Sequence, residues 1–140
     1  MDELLELRKK VENQDYQGAL SIINELEEMS VEDKLNKIES YMIILLMHLI
    51  KQSVEKRTTS SGNRSVSNSV KGINKTNKRR RSGGHYAESE TISQMLHEAY
   101  TDAIEEASYE AFEGKYTVDQ LDTVADKNQI IEKAMSLIYK

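Results

Sequence analysis

The residues in this chain best suited to chemistry are three histidines, His48, His85 and His97, and a run of cations that leads up to one of them. The stretch KTNKRRRSGGHY, residues 75–86, places Lys78, Arg79, Arg80 and Arg81 shortly before Gly83, Gly84 and His85. The run could be part of a catalytic site, or only a solvated corner of a helical protein. The same cations can also serve a simpler purpose, holding a polyanion by charge alone and releasing its counterions.

Other chemistries are poorly supplied. With no cysteine there is no thiolate ligand, no disulfide and no cysteine nucleophile. No H-x-x-x-H pair and no D-x-D-x-D-G loop occurs, so neither a zinc nor a calcium site is expected, and no metal or cofactor is predicted. Ser82-Gly83-Gly84 lacks the lysine and the strand-to-helix setting of a phosphate loop, and no G-x-S-x-G element is present. The adjacent pairs Glu27-Glu28 and Glu105-Glu106 point in different directions on a helix and read as solvated surface. His48 lies in the most apolar run, YMIILLMHLI, and is expected to be a buried histidine bonded to a carbonyl or to an acid such as Glu39. His97 has Thr101 one turn on, which is no metal ligand.

The basic run belongs to a wider shift in composition. Residues 57–87 contain eight Lys or Arg and no Asp or Glu, so the segment carries +8 while the chain as a whole carries −5. The segment is rich in Ser and Asn and is expected to form a protruding, partly mobile part of a single domain spanning residues 1–140. Lys71, Lys75, Lys78, Arg79, Arg80 and Arg81 are the candidate binding residues, for nucleic acid or for an acidic protein partner. Tyr86 is the aromatic at hand for base stacking, so RNA binding here would tolerate many sequences. The reading leans away from an enzyme and toward an interaction module.

The elements that must position these residues read as helices. Proline is absent from all 140 residues, which imposes no break and favours long helices. A short helix carries Leu4, Leu5, Leu7 and Val11, and Asn13-Gln14-Asp15 turns it into a second with Ala19, Leu20, Ile22, Ile23 and Leu26. The turn resembles that of a tetratricopeptide unit, but no second copy follows at that period, leaving a plain hairpin. Ser30-Val31-Glu32-Asp33 reads as a helix start, opening a central helix to about residue 56 that is apolar all round and hence covered, by other helices or a second subunit. Ser60-Ser61-Gly62-Asn63 reads as a loop, with a weak amphipathic helix over about residues 65–80 on Val66, Val70 and Ile73. A strong helix through Ile92, Leu96, Ala99, Ala103 and Ala107 ends near Gly114. Thr117-x-x-Gln120 opens a short helix and Asp126 a last one. The fold class is all-α, a bundle of about six helices around one long apolar helix. Neither a membrane span nor a signal peptide is expected, so the protein reads as cytoplasmic, and self-association into a dimer through apolar helix surface is expected. No small-molecule ligand is predicted.

These residues carry two resemblances. Glu25-Leu-Glu-Glu-Met29, Ile38-Glu39-Ser40-Tyr41 and Leu45-Leu-Met-His-Leu-Ile-Lys51, with Glu98-Ala-Tyr-x-x-Ala103 downstream, resemble the domain-of-unknown-function family numbered twenty-nine, abundant in cyanobacteria. The resemblance implies an all-α fold of cyanobacterial type and no established activity. Members usually carry a tryptophan where Ser61-Gly62-Asn63 stands, and its absence is expected to loosen the segment there. The second is narrower. Five and four residues separate Arg79 and Arg80 from His85, which is similar to the R-x(4–6)-H signature of HEPN ribonucleases, metal-independent all-α dimers that include toxins. The glycine pair interrupts the helix on which that motif normally sits.

Overall fold

The structure, a computed structural model, describes residues 2–79 and 83–140. Among these residues six α-helices and one 3-10 turn follow in order: α1 Glu3–Glu12, α2 Tyr16–Glu55, α3 Ser60–Asn77, α4 Ser89–Glu110, the turn Ala111–Gly114, α5 Val118–Val124 and α6 Lys127–Ile138. Among the described residues no strand forms, and a single antiparallel bridge joins Lys78 to His85. The fold is an all-α bundle with one long helix, as the helical periodicity predicts. The chain divides into two compact units, Met1–Lys34 and Leu35–Lys140.

In the first unit α1 is capped by Asp2, whose carboxylate accepts from the Leu4 N–H at 3.0 Å. Gln14, at φ 59°, reverses the chain. Asp15 then opens α2, accepting from the Gly18 N–H at 3.0 Å and from Lys10 Nζ at 3.4 Å. The Gly18 hydrogen bond, then Lys10, lowers the Asp15 pKa. A Cβ at Gly18 would meet the Asp15 carboxylate and displace it. Ala19 and Ile22 are buried, whereas Leu4, Leu5, Val11, Tyr16 and Leu20 are exposed.

The expected start at Ser30 is not used. α2 runs unbroken through Ser30-Val31-Glu32-Asp33. A cap residue terminates the ladder only where its own backbone is extended, and no Gly or Pro lies between Gly18 and Lys56 to make it so. Lys56, at φ 56°, provides the left-handed residue that ends the helix.

The second unit is built on Ile38, Met42, Leu45, Leu46 and Ile50 of α2, all fully buried. They share one cluster with Ile73 of α3, Ile92 and Leu96 of α4, Leu121 of α5, and Ile130, Ile131 and Ala134 of α6. Ala99, Ala103 and Ala107 form a fully buried small-residue stripe on α4, which lets neighbours approach closely. Each fully buried aliphatic side chain contributes about 1.5–3 kcal/mol. α5 opens with the predicted capping box between Thr117 and Gln120, and Asp126 caps α6 through the Gln129 N–H.

Ser60–Asn63 is helix rather than loop. Thr59 Oγ1 accepts from the Gly62 N–H at 3.0 Å, which starts α3 at Ser60. This polar first turn has no apolar side chain to reveal its phase. Asn63 Oδ1 accepts from Gln52 Nε2 of α2 at 3.2 Å. This polar tie holds the first turn of α3 to α2.

Candidate polyanion-binding surface

α3 has two chemically distinct sides. Val66, Ser69, Val70, Ile73 and Asn77 face the core, with Ser69, Ile73 and Asn77 buried. Arg64, Lys71 and Lys75 are exposed. At 3.6 residues per turn these three cations, with Lys78 just beyond the helix, fall within an arc of about 60° opposite the buried side. From Arg64 to Lys75 the stripe is about 16 Å long at 1.5 Å per residue. No acidic residue lies on α3, so nothing on the helix itself neutralises it. Arg64 is a site residue that sequence reasoning missed; the signal was its heptad spacing from Lys71.

The stripe leads into an antiparallel pairing of Lys78 with His85. The Arg79 N–H donates to the Gly84 carbonyl at 3.0 Å, and the Tyr86 N–H to the Asn77 carbonyl at 2.9 Å. The Asn77 side chain adds to this pairing: Nδ2 donates to the Ala87 carbonyl at 2.9 Å, and Oδ1 accepts from the Ala87 N–H at 2.8 Å. Gly83 and Gly84 both have left-handed backbones, φ 70° and 72°, which a side chain would strain. The Arg79 guanidinium lies 4.9 Å from the Tyr86 ring centroid, a cation–π distance.

Of the predicted binding residues, Lys71 and Lys75 share the exposed face, Lys78 is exposed at the end of the helix, and Arg79 is half-buried against Tyr86. Arg80 and Arg81 lie outside the described residues. His85 is exposed and pairs with Lys78, beyond the helix that carries Lys71 and Lys75. His97 is exposed on α4.

His48 departs from its expected environment. Glu39 precedes it by nine residues, two and a half helical turns, and therefore lies on the opposite side of α2. The His48 ring instead borders a cleft of about 200 Å³ with Lys51, Gln52, Thr59, Ser61 and Gly62. It is half-buried and makes no hydrogen bond among the described residues. Burial lowers its pKa; Glu110 pulls it up and Lys51 adds to the lowering.

An all-α protein with one cation-striped helix is the class that fold and surface define. The family profile described as Domain of unknown function DUF29 matches residues 3–133, and the chain belongs to that family. No curated protein and no solved structure matches it. No helix among the described residues is long and apolar enough to cross a membrane.

Proposed function

We propose that this protein is a non-enzymatic helical interaction module that holds single-stranded RNA by its phosphates. The observation that carries the reading is the alignment of Arg64, Lys71, Lys75 and Lys78 on one side of α3, ahead of Arg79, with Arg80 and Arg81 next in the chain. Phosphate contacts bind without reading sequence, and Tyr86, already stacked on Arg79, adds little base discrimination. Self-association completes the reading. The exposed Leu4, Leu5, Val11, Tyr16 and Leu20 supply apolar helix surface for a homodimer in the cytoplasm of a cyanobacterial-type cell.

The test is a gel assay with labelled single-stranded RNA in EDTA at low and moderate salt, scoring shift and length. The change of Arg79, Arg80 and Arg81 together to Ala runs beside the wild type. A salt-sensitive shift, weakened in the variant, supports RNA binding. Shortened RNA that returns to full length in His85→Ala replaces this reading with the HEPN-like ribonuclease. With neither shift nor cleavage, the basic surface is assigned to an acidic protein partner.

A further inference from the structure

Where α2 ends, a cleft of about 520 Å³ opens between its last turns, the turn that follows and α6. Its floor includes Leu49 and Ile130, both buried, and Ser53, Thr58 and Gln129 contribute polar groups. Lys56, Arg57 and Lys133 also line it, and no carboxylate does.

The neighbouring cleft on α2 makes a useful contrast. It holds Lys51, Arg57 and Lys115 together with Glu55, Glu110 and Glu113, so its charges balance within the protein. In the first cleft only Arg57 is tied, at 3.8 Å from Glu55. Lys56 and Lys133 form no ion pair among the described residues. Two of the three cations that line this cleft, Lys56 and Lys133, therefore lack a carboxylate partner among the described residues, although the chain is acidic, at −5 overall.

The backbone adds a second sign. Lys56 has φ 56°, at the helix-ending position where glycine is the unstrained choice. A lysine there accepts left-handed strain and brings an ammonium to the rim of the cleft.

We propose that this cleft is a binding site for a phosphate group, either the free anion or a phosphate monoester whose organic body rests on Leu49 and Ile130. Lys56, Arg57 and Lys133 supply the positive charge, and the Ser53 and Thr58 hydroxyls and the Gln129 amide supply further donors. The site does not rest on RNA binding at α3. Its cations come from the end of α2 and from α6, so either reading can fail while the other stands.

The test is calorimetric titration of the full chain with inorganic phosphate, with adenosine 5′-monophosphate and with adenosine. Both phosphates are expected to bind and adenosine is not. Equal affinities assign the free anion, and tighter binding of the nucleotide assigns the monoester. Lys133→Gln and Lys56→Gly are each expected to weaken binding roughly tenfold or more, the loss of one charge-assisted contact. Lys56→Gly removes the ammonium and the left-handed strain together, so its melting temperature is expected to hold or rise, separating lost binding from lost folding. Lys37→Ala, at an exposed position of α2 outside the cleft, is expected to leave both titrations unchanged. Absence of binding by either phosphate at millimolar concentration overturns the proposal. So does phosphate binding that Lys56→Gly and Lys133→Gln leave intact.

Discussion

Asn77 and Ala87 pair reciprocally in the core: one side-chain amide both donates to and accepts from the backbone of one residue, at 2.9 and 2.8 Å. Asn77 is 5% exposed and Ala87 3%, so water cannot replace either bond. Asn77→Ala leaves the N–H and C=O of Ala87 unpaired and is expected to cost about 1–3 kcal/mol, read by urea titration. Asn77→Asp keeps the acceptor, loses the donor and sets a carboxylate against a carbonyl. Its loss is expected to be at least as large.

Adjacent residues of α2 are expected to respond very differently to truncation. Leu45 is fully buried, whereas Ile44 is 42% exposed. Leu45→Ala is expected to destabilise by about 2–5 kcal/mol through lost transfer energy and the cavity left behind. Ile44→Ala is expected to cost well under half of that. Thermal melts of the two variants, prepared in parallel, check the difference.

Tyr100 lies in the core, 4% exposed, and its hydroxyl has no partner among the described residues. Burial, then the charges of Asp122 and Asp126, raises its pKa to about 12. An acid whose folded pKa exceeds its unfolded value stabilises fully below the unfolded pKa of about 10, and this contribution falls as pH rises from there toward 12. Tyr100→Phe is therefore expected to flatten the alkaline limb of the stability curve. At neutral pH it is expected to gain up to about 1 kcal/mol by removing the orphaned hydroxyl, while a ring remains for Lys127, now 5.4 Å from its centroid.

His48 gives the opposite pH dependence. Its folded pKa lies below the usual 6.5. Between the two values the unfolded chain binds more protons, so stability is fully present above about pH 6.5 and declines as pH falls toward the lower, folded value. His48→Gln is expected to remove that part of the acid limb. Melting temperatures at intervals between pH 5 and 8 would show it, and identical profiles for the two proteins would refute it.

What was legible in the sequence was local. Thr117 with Gln120, and Asp126 before α6, announced caps because the partners of a cap lie within one turn. The burial of Ile73, Ile92 and Leu96 followed from helical periodicity. Ser30 misled because its residue type is only half of a cap; the extended backbone that completes one was never imposed. Gly62 and Asn63 suggested a loop, although Thr59 was in place to cap them. Lys56 and Lys133 were out of reach, since residues 77 apart in the chain meet only through the packing of α2 with the C-terminal helices. Arg64 stands one heptad from Lys71, a weaker signal than the dense cationic run at residues 78–81.

The central claim is that the outer side of α3 holds RNA by its phosphates, and salt tests it most directly. The measurement is the affinity for labelled single-stranded RNA from 50 to 200 mM salt, for the wild type and for a variant with Arg64, Lys71 and Lys75 all changed to Ala. Each phosphate neutralised contributes about −0.7 to the slope of log affinity on log salt, so removing these three cations is expected to reduce the slope by about 2 and weaken binding at low salt. Equal slopes and affinities for the two proteins would contradict the account.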